Sequence, residues 1–371
     1  MTKSIRAILF CALAVGCGAL ASGCKRNTGA TAQKESKITG SPSDPPVAIQ
    51  PKWAAGQRYL MRMESVQSYQ LPNFPGMGRG TGGGTGTNNA PLENHFAQEY
   101  ALVVTNAADG HRGIEMEILA FEIVAARGDQ EFINYDSGNK VAPGHGPMTD
   151  LFDKLLGGKI YYLVAPDSTV VRVEGVKELF DRVEPPAEAN AETPAARGRR
   201  GGAMGGAGML RSAYNEDVFR QMIELAGAPP NSVRVGENWT VTRETSAPII
   251  GQLTITTTNT LRGWQEHEGR RCARVEFTGT VAFGTNTGPL AAFMKLEGGS
   301  VTGRYWFAPD LGIPVETIFD QEMTLRMANF GTGPGRRPRA AANSETNATA
   351  SITAPMRQNI SVKLVEVKPI E

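Results

Sequence analysis

Cysteine is scarce in this sequence and concentrated at its N-terminus. Four cysteines occur in 371 residues. Three of them, Cys11, Cys17 and Cys24, lie within the first 24 residues, so Cys272 is the only cysteine in the rest of the chain. A lone cysteine cannot close an internal disulfide, so the body of the protein must be stabilised by burial of apolar side chains.

An excess of either charge is also missing. The 38 Lys and Arg side chains nearly balance the 37 Asp and Glu side chains, which gives a formal net charge of +1 at pH 7. This balance gives no electrostatic reason to expect nucleic acid as a partner. A local basic cluster of Arg197, Arg199 and Arg200 has no interleaved aromatic residues for base stacking. We predict no nucleic-acid partner and interpret the cluster as a solvated linker, with contact to acidic envelope polymers or lipid headgroups as the alternative.

Motifs for nucleotide binding and acyl transfer are missing as well. The chain contains no P-loop pattern and no G-x-S-x-G elbow. The glycines of Gly78-x-Gly80-x-x-Gly83 match the dinucleotide-binding pattern, but no strand is predicted before them and no helix after them. Without that helix there is no N-terminus to hold a pyrophosphate, so we interpret the segment as a glycine-rich loop.

Residues that bind metals or act as nucleophiles are few and dispersed. Arginines beside Cys272 could lower the pKa of its thiol, but the residue begins a predicted strand, so we expect a structural thiol. No two histidines have the spacing of a local zinc pair. We therefore predict no catalytic residue, no metal and no cofactor, and an enzyme whose site is assembled from distant residues remains an alternative. The four histidines are His95, His111, His145 and His267.

The first 24 residues have the composition of an export signal. Lys3 and Arg6 precede an apolar run that ends near Leu20 and is too short for a comfortable membrane span. The run is followed by Ala21-Ser22-Gly23-Cys24, which resembles the lipobox of bacterial lipoproteins, although the usual leucine lies one place early. Cys17 is a competing site, and an ordinary secretory signal is the other alternative.

The lipobox resemblance implies that the thiol of Cys24 is acylated and that this residue becomes the new N-terminus. The membrane would then be a partner through the N-terminal lipid, since two or more acyl chains anchor a protein stably. Lys25 after the cysteine, where the resembling proteins use Asp for inner-membrane retention, implies the outer membrane of a bacterial cell envelope.

Period-two alternation predicts strands in both halves of the chain. The segments 252–261 and 273–283 form one predicted hairpin around Glu268-Gly269, and 95–104 and 113–124 form another around Asp109-Gly110. A double glycine, a strand, an Ala-Pro-Asp turn and a second strand then recur at 157–175 and 298–318. This order indicates two similar hairpin-containing units.

Helices are predicted to be few and short. Thr149 is the expected cap of a helix that ends at Gly157, and 175–183 has apolar residues at helical spacing. A third helix is expected within 212–227, capped at Ser212 or Asn215. The predicted fold class is mainly β, a β-rich α+β arrangement of antiparallel sheets with a few short helices.

Composition divides the chain into successive segments. Stretches rich in glycine, proline and small polar residues separate apolar, alternating sequence. The predicted segments are a signal peptide 1–23, a flexible tether 24–50, a first β-rich unit 51–183 with a loop insert 72–91, a low-complexity linker 184–211, and a helix plus second β-rich unit 212–371 with a loop insert 331–350.

The W-x-x-G-x-x-Y opening at 53–59, the double-glycine hairpins and the V-G-E-N-W restart at 235–239 resemble an uncharacterised family of bacterial lipoproteins. The resemblance covers roughly residues 50–370 and implies no particular reaction. The architecture is also distantly similar to the lipoprotein-localisation carriers, whose curved half-barrels hold acyl chains. That similarity concerns architecture alone.

These features predict a non-enzymatic envelope lipoprotein that binds a ligand or partner through a concave sheet or its loops. An apolar small molecule would lie among Phe277, Phe283, Tyr162 and Tyr305. One alternative is a structural or assembly component whose loop segments contact another envelope protein, and the other is an enzyme whose site the sequence does not reveal. The four tryptophans, which we expect in the core or at its rim rather than in a ligand cleft, are Trp53, Trp239, Trp264 and Trp306.

Overall fold

A computed structural model describes most of the chain. The described residues are 36–70, 90–139, 147–183, 214–225, 227–247, 251–283, 294–327 and 352–370. The predicted lipidation residue Cys24 and His145 lie outside them, as do nearly all residues of the three loop and linker segments.

Strands dominate the described residues. Three short helices accompany them: α1 Pro147–Leu155, α2 Val176–Asp181 and α3 Glu216–Ile223. The strands are β1 Gln57–Tyr69, β2 Leu92–Asn106, β3 Arg112–Arg127, β4 Gln130–Asp136, β5 Lys159–Val164, β6 Val170–Glu174, β7 Asn238–Ala247, β8 Gly251–His267, β9 Arg270–Phe283, β10 Met294–Ala308, β11 Ile313–Met327 and β12 Ile352–Pro369.

All twelve strands belong to one antiparallel sheet. Its order is β6-β5-β3-β2-β1-β12-β11-β10-β9-β8-β7, and β4 pairs with β3 beside this path. The first strand of the chain pairs with the last, with Gln57 opposite Pro369 and Tyr69 opposite Met356. The predicted mainly β class is confirmed, and the two halves of the chain join in a single sheet.

The predicted hairpins are present, and their turns explain their register. Asp109 and Gly110 both have positive φ, as do Glu268 and Gly269. Two consecutive residues with positive φ suit the right-handed twist of paired strands, and this is why Asp-Gly and Glu-Gly sequences connect them. These turns join β2 to β3 and β8 to β9, and the Ala-Pro-Asp turns join β5 to β6 and β10 to β11.

Two of the three helices differ from their predicted bounds. Helix α1 begins at Pro147, so Thr149 lies inside its first turn and is not the cap. A proline is well suited to the first helical position because its fixed φ matches the helix and its missing N–H is not needed there. Helix α3 has the predicted cap, since the Asn215 side chain accepts a hydrogen bond from Val218 N at 3.0 Å. It ends at Ile223 rather than at Gly227 because Glu224 has extended backbone angles.

The sheet curls strongly around α3. Ten strand spacings separate β6 from β7, which would be roughly 48 Å in a flat sheet. Both edge strands nevertheless contact α3, whose eight residues span only about 12 Å. The face toward α3 is therefore concave, and it carries the buried side of each alternating strand. On β1 this side includes Tyr59, Met61 and Met63.

Residues ahead of β1 pack against the second half of the sheet. The backbone of Thr39 pairs with Trp264, and that of Val47 pairs with Val233. Ile49 is fully buried in the adjoining core. This part of the segment predicted as a flexible tether thus lies on the body of the protein, because its apolar side chains gain burial there.

Helix length bears on membrane crossing. Within the described residues, no helix has both the length and the apolar character needed to span a bilayer.

Candidate functional site

A cavity lies between the concave face of the sheet and the segment that contains α3. We call it the α3 cavity. It has a volume of about 90 Å³, measured as the space open to the centre of a water molecule. A single water needs roughly 10–15 Å³ on this measure, so the space exceeds that of one water several-fold. Its walls are mainly apolar and include Met61, Met63, Tyr100, Ile255, Val301 and Phe319.

The lack of a side chain at Gly303 shapes one wall of the cavity. Gly303 on β10 lies directly opposite Phe277 on β9. A Cβ atom at Gly303 would overlap the ring of Phe277, so the missing side chain lets this ring lie over the strand. The arrangement places the ring in the cavity wall and leaves the space above it open.

Helix α3 closes the cavity by bridging the two sheet edges. The Gln221 amide and the Thr245 hydroxyl on β7 form a buried pair at 3.2 Å. On the opposite edge, Arg220 Nη1 donates to the Val170 carbonyl, and Val170 N donates to Glu224 Oε1 at 3.2 Å. Phe219, next to Arg220 on the helix, is fully buried. Side chains of α3 and of Glu224, the residue after it, therefore link β6 to β7.

The loop after α3 is fixed in place by the second core. Gly227 has φ +85, and a Cβ there would also collide with Asn259. Its carbonyl accepts a hydrogen bond from Trp239 Nε1 at 2.7 Å. Gly227 and Asn259 both line the α3 cavity, so this loop forms a defined part of its wall.

A charged side chain lines this mainly apolar space. Arg243 on β7 is only 5 % exposed and forms part of the cavity wall. Its Nε and Nη2 atoms are buried and have no hydrogen-bond partner among the described residues. Burial lowers the pKa of Arg243 to about 9, while the nearby Tyr305 and Glu224 act in the opposite direction. The guanidinium is therefore still charged at pH 7.

Within the described part of the chain, Arg243 has no direct ion-pair partner, and the two groups that act on its charge are Glu224 and Tyr305. Glu224 lines the same cavity, but its Oε1 accepts the hydrogen bond from Val170 N on the opposite sheet edge. The Tyr305 hydroxyl is buried without a described partner, and burial raises the pKa of this phenol, so it stays neutral. The polar end of the cavity is thus dominated by a guanidinium.

Trp53 adds a second unused donor. The residue belongs to the core, where its ring packs edge-on against Tyr59 with centroids 5.3 Å apart. It also lines the α3 cavity, and its Nε1 atom is buried without a partner in the described part of the chain. The expectation that the tryptophans serve only the core or its rim is therefore incomplete for Trp53.

Among the four aromatic residues predicted around a ligand, Phe277 lines the α3 cavity. Tyr162 is buried in the main core, where its hydroxyl contacts Met116 Sδ at 3.6 Å. Phe283 packs against that core, and Tyr305 belongs to the second core cluster. These three side chains were predicted from strand parity alone, which places them on the concave face without showing which of them are covered by neighbours.

Arg243 was not identified from the sequence, although a signal for it exists. Along β7, the alternate residues Trp239, Val241, Arg243 and Thr245 are all buried. An arginine is unusual among the strand residues that face the core, since arginine is almost never fully buried unless it is paired. The position of Arg243 among the core-facing residues of β7 therefore identifies it as a candidate for function.

Two other residues considered from the sequence, Cys272 and His267, make contacts typical of residues that stabilise the fold. Cys272 is fully buried, and burial raises the pKa of its thiol to about 11, so it is protonated at neutral pH. His267 stacks on Trp306 with centroids 4.0 Å apart and hydrogen-bonds to Glu316 at 2.6 Å. In the described ranges, no group of three or more His, Cys, Asp or Glu side chains is placed to hold a metal ion.

Three of the solved structures that the chain matches each share 7% sequence identity with it. With a TM-score of 0.43, 86% of the chain matches 26% of lipovitellin, from a structure of its lipid–protein interactions, so the chain spans about a quarter of that protein. An outer membrane channel from Pseudomonas putida F1 matches 86% of the chain over its full length at a TM-score of 0.20. DynF, from the dynemicin biosynthesis pathway of Micromonospora chersina, matches 88% of the chain over 89% of its own length at 0.16. These scores are too low to carry an argument.

Comparison with protein families is more informative. No curated protein matches the chain. A family described as being of unknown function, DUF6263, matches residues 109–302, just over half of the chain. The protein therefore belongs to the family DUF6263, to which no activity is assigned, and its predicted place in an uncharacterised family is confirmed.

Proposed function

We propose that this protein is a non-enzymatic binding protein that holds an apolar small molecule in the α3 cavity. The observation that carries the proposal is the cavity itself, a mainly apolar space of about 90 Å³ beside the main core. Dispersion attraction between closely packed atoms is small for each pair but large in sum. A ligand with matching apolar surface would make such contacts and remove apolar area from water.

We also propose that the protein is anchored in the bacterial cell envelope through a lipid on Cys24. The support is the leader sequence described above, and the segment from Lys25 to the first described residue, Ser36, is the tether in this proposal. The ligand-binding body would then be held close to the membrane, with the outer membrane favoured by Lys25.

The anchor is tested by Cys24→Ser. The variant should carry no lipid label and should accumulate as an uncleaved precursor, whereas Cys17→Ser should be processed normally. Metabolic labelling with a fatty-acid analogue, followed by mass determination of the N-terminus, gives both readouts. Normal labelling of the Cys24 variant would refute this choice of cysteine.

The cavity is tested by filling it with Val301→Phe. A soluble form that begins at Lys25 keeps every described residue and is suited to titration with the neutral apolar dye Nile red. Val301 is buried and lines the cavity, so a phenylalanine there should occupy the ligand space and weaken dye binding at least about tenfold, since each tenfold loss corresponds to only about 1.4 kcal/mol.

Thr302→Phe is the matched control. Thr302 is the next residue on the same strand and is exposed on the other face of the sheet. This variant adds the same ring and should bind Nile red like the unmodified protein. Absence of saturable binding in the unmodified protein, or equal binding by the Val301 variant, would contradict the proposed function.

A further inference from the structure

The unpartnered polar atoms of the α3 cavity are mostly hydrogen-bond donors. Arg243 Nε and Nη2 and Trp53 Nε1 are buried without partners among the described residues, and both side chains line the cavity. Arginine and tryptophan side chains can donate hydrogen bonds but cannot accept them. A ligand that satisfies them must therefore bring acceptor atoms into an otherwise apolar space.

The geometry of Arg243 specifies what kind of acceptor fits. Nε and Nη2 form one edge of the planar guanidinium, where two N–H bonds point in parallel. A carboxylate offers two oxygens at the matching spacing and accepts both bonds at once. The next inward-facing residue on the strand, Thr245, is already paired with Gln221, whereas Nε and Nη2 of Arg243 have no partner among the described residues.

The charged groups around the cavity favour an acceptor that carries a single negative charge. One guanidinium faces the space, and Glu224 contributes to the field that acts on it. A monoanion neutralises Arg243, whereas the second charge of a phosphate monoester would be buried near Glu224 without a cation. Burial of an uncompensated charge in an apolar site is strongly unfavourable.

We propose that the ligand is an amphiphilic monocarboxylate, with its carboxylate on the Nε–Nη2 edge of Arg243 and its hydrocarbon chain against Met61, Met63 and Phe319. This inference rests on the proposed function, because it names the class of molecule that occupies the α3 cavity. The carboxylate sets the orientation of the ligand, and the apolar walls supply most of the contact area.

The test uses displacement of Nile red from the form that begins at Lys25. Dodecanoate, dodecanol, dodecyl phosphate and acetate are compared as probes. The unmodified protein should bind dodecanoate about 30-fold more tightly than dodecanol, since a buried, hydrogen-bonded charge pair is worth that much or more. Acetate should give no measurable displacement because it lacks the apolar chain.

Two substitutions at one position and one control separate the roles of charge and geometry. Arg243→Met should remove the preference, so that the variant binds dodecanoate and dodecanol with affinities within about threefold of each other. Cooperative urea unfolding of the variant reports that it is folded. Arg243→Lys should give an intermediate preference, because an ammonium keeps the charge but loses the parallel pair of donors. Arg326→Met removes an exposed arginine on β11 and should leave both affinities unchanged.

The outcomes separate failure of the inference from failure of the proposed function. If none of the probes binds, the proposed function is wrong. If dodecanoate and dodecanol bind equally, and Arg243→Met changes neither, an apolar ligand remains supported and the carboxylate inference is overturned. If dodecyl phosphate binds more tightly than dodecanoate, the inferred carboxylate is wrong and a phosphate ester takes its place. If acetate displaces Nile red, the ligand needs no hydrocarbon chain and the inferred amphiphile is wrong.

Discussion

Replacement of Phe219 with alanine is expected to lower the free energy of unfolding by about 3–5 kcal/mol. Phe219 is fully buried and packs within the main core from the middle of α3. Its removal leaves a void beneath the helix that bridges β6 to β7. Because few residues attach α3 to these strands, the void should also loosen the closure of the sheet.

Urea denaturation of the form that begins at Lys25 measures this loss. Val171→Ala is the control, since Val171 is 53 % exposed on β6 and its truncation should change stability by no more than about 0.5 kcal/mol. Hydrogen exchange should accelerate in β6 and β7 of the Phe219 variant while the central pair of β1 and β12 stays protected. A loss below about 1 kcal/mol, or uniform acceleration across the sheet, would contradict the role assigned to α3.

Replacement of Arg243 with methionine is expected to raise the free energy of unfolding of the ligand-free protein by about 1–4 kcal/mol. Arg243 is a buried cation whose Nε and Nη2 lack partners among the described residues. Methionine fills a similar elongated volume without a charge and adapts to irregular space. If Arg243 serves ligand binding at a cost in stability, its replacement with methionine should raise the free energy of unfolding.

The stability difference should depend on pH in a defined direction. Burial lowers the pKa of Arg243 from 12.5 in the unfolded chain to about 9 in the folded protein. Below pH 9 both states hold the proton, so the folded protein bears the full cost of the buried charge. Above it the folded state releases the proton first, and the cost shrinks. The difference in free energy of unfolding between Arg243→Met and the unmodified protein should therefore be largest at pH 7 and smaller near pH 10.

Thermal and urea unfolding of Arg243→Met and Arg326→Met at both pH values provide the measurement. The exposed Arg326 control should stay within about 0.5 kcal/mol of the unmodified protein. If Arg243 instead holds a structural ion pair, its removal should destabilise the protein by about 3–5 kcal/mol, and that result would overturn the interpretation of a charge reserved for a ligand.

Local features of the fold were predictable because their causes lie within a few residues. Asp109-Gly110 and Glu268-Gly269 both adopt consecutive positive φ values, and each pair lies between two predicted strands, where such a conformation makes a turn. Alternation along 273–283 follows from the two faces of a strand. Asn215 caps α3 by a hydrogen bond to a residue three positions away, which requires no distant partner.

Helix bounds were less predictable because tertiary contacts compete with local preference. The sequence placed the end of α3 at Gly227, since glycine commonly follows a helix C-terminus, but the chain leaves the helix at Glu224. The carboxylate of Glu224 accepts a hydrogen bond from β6, and the Gly227 carbonyl accepts one from Trp239. These two attachments fix the chain in an extended course that a longer helix could not follow.

By itself, the sequence determined the mainly β class, the hairpins with their turns and membership in a family without an assigned activity. The tertiary structure alone decided the α3 cavity and the place of Arg243 in it. The pairing of β1 with β12 joins residues about as far apart as the chain allows, and α3 reaches both sheet edges only after the sheet curls. Such contacts depend on how distant apolar faces cover one another, and no local pattern encodes that arrangement.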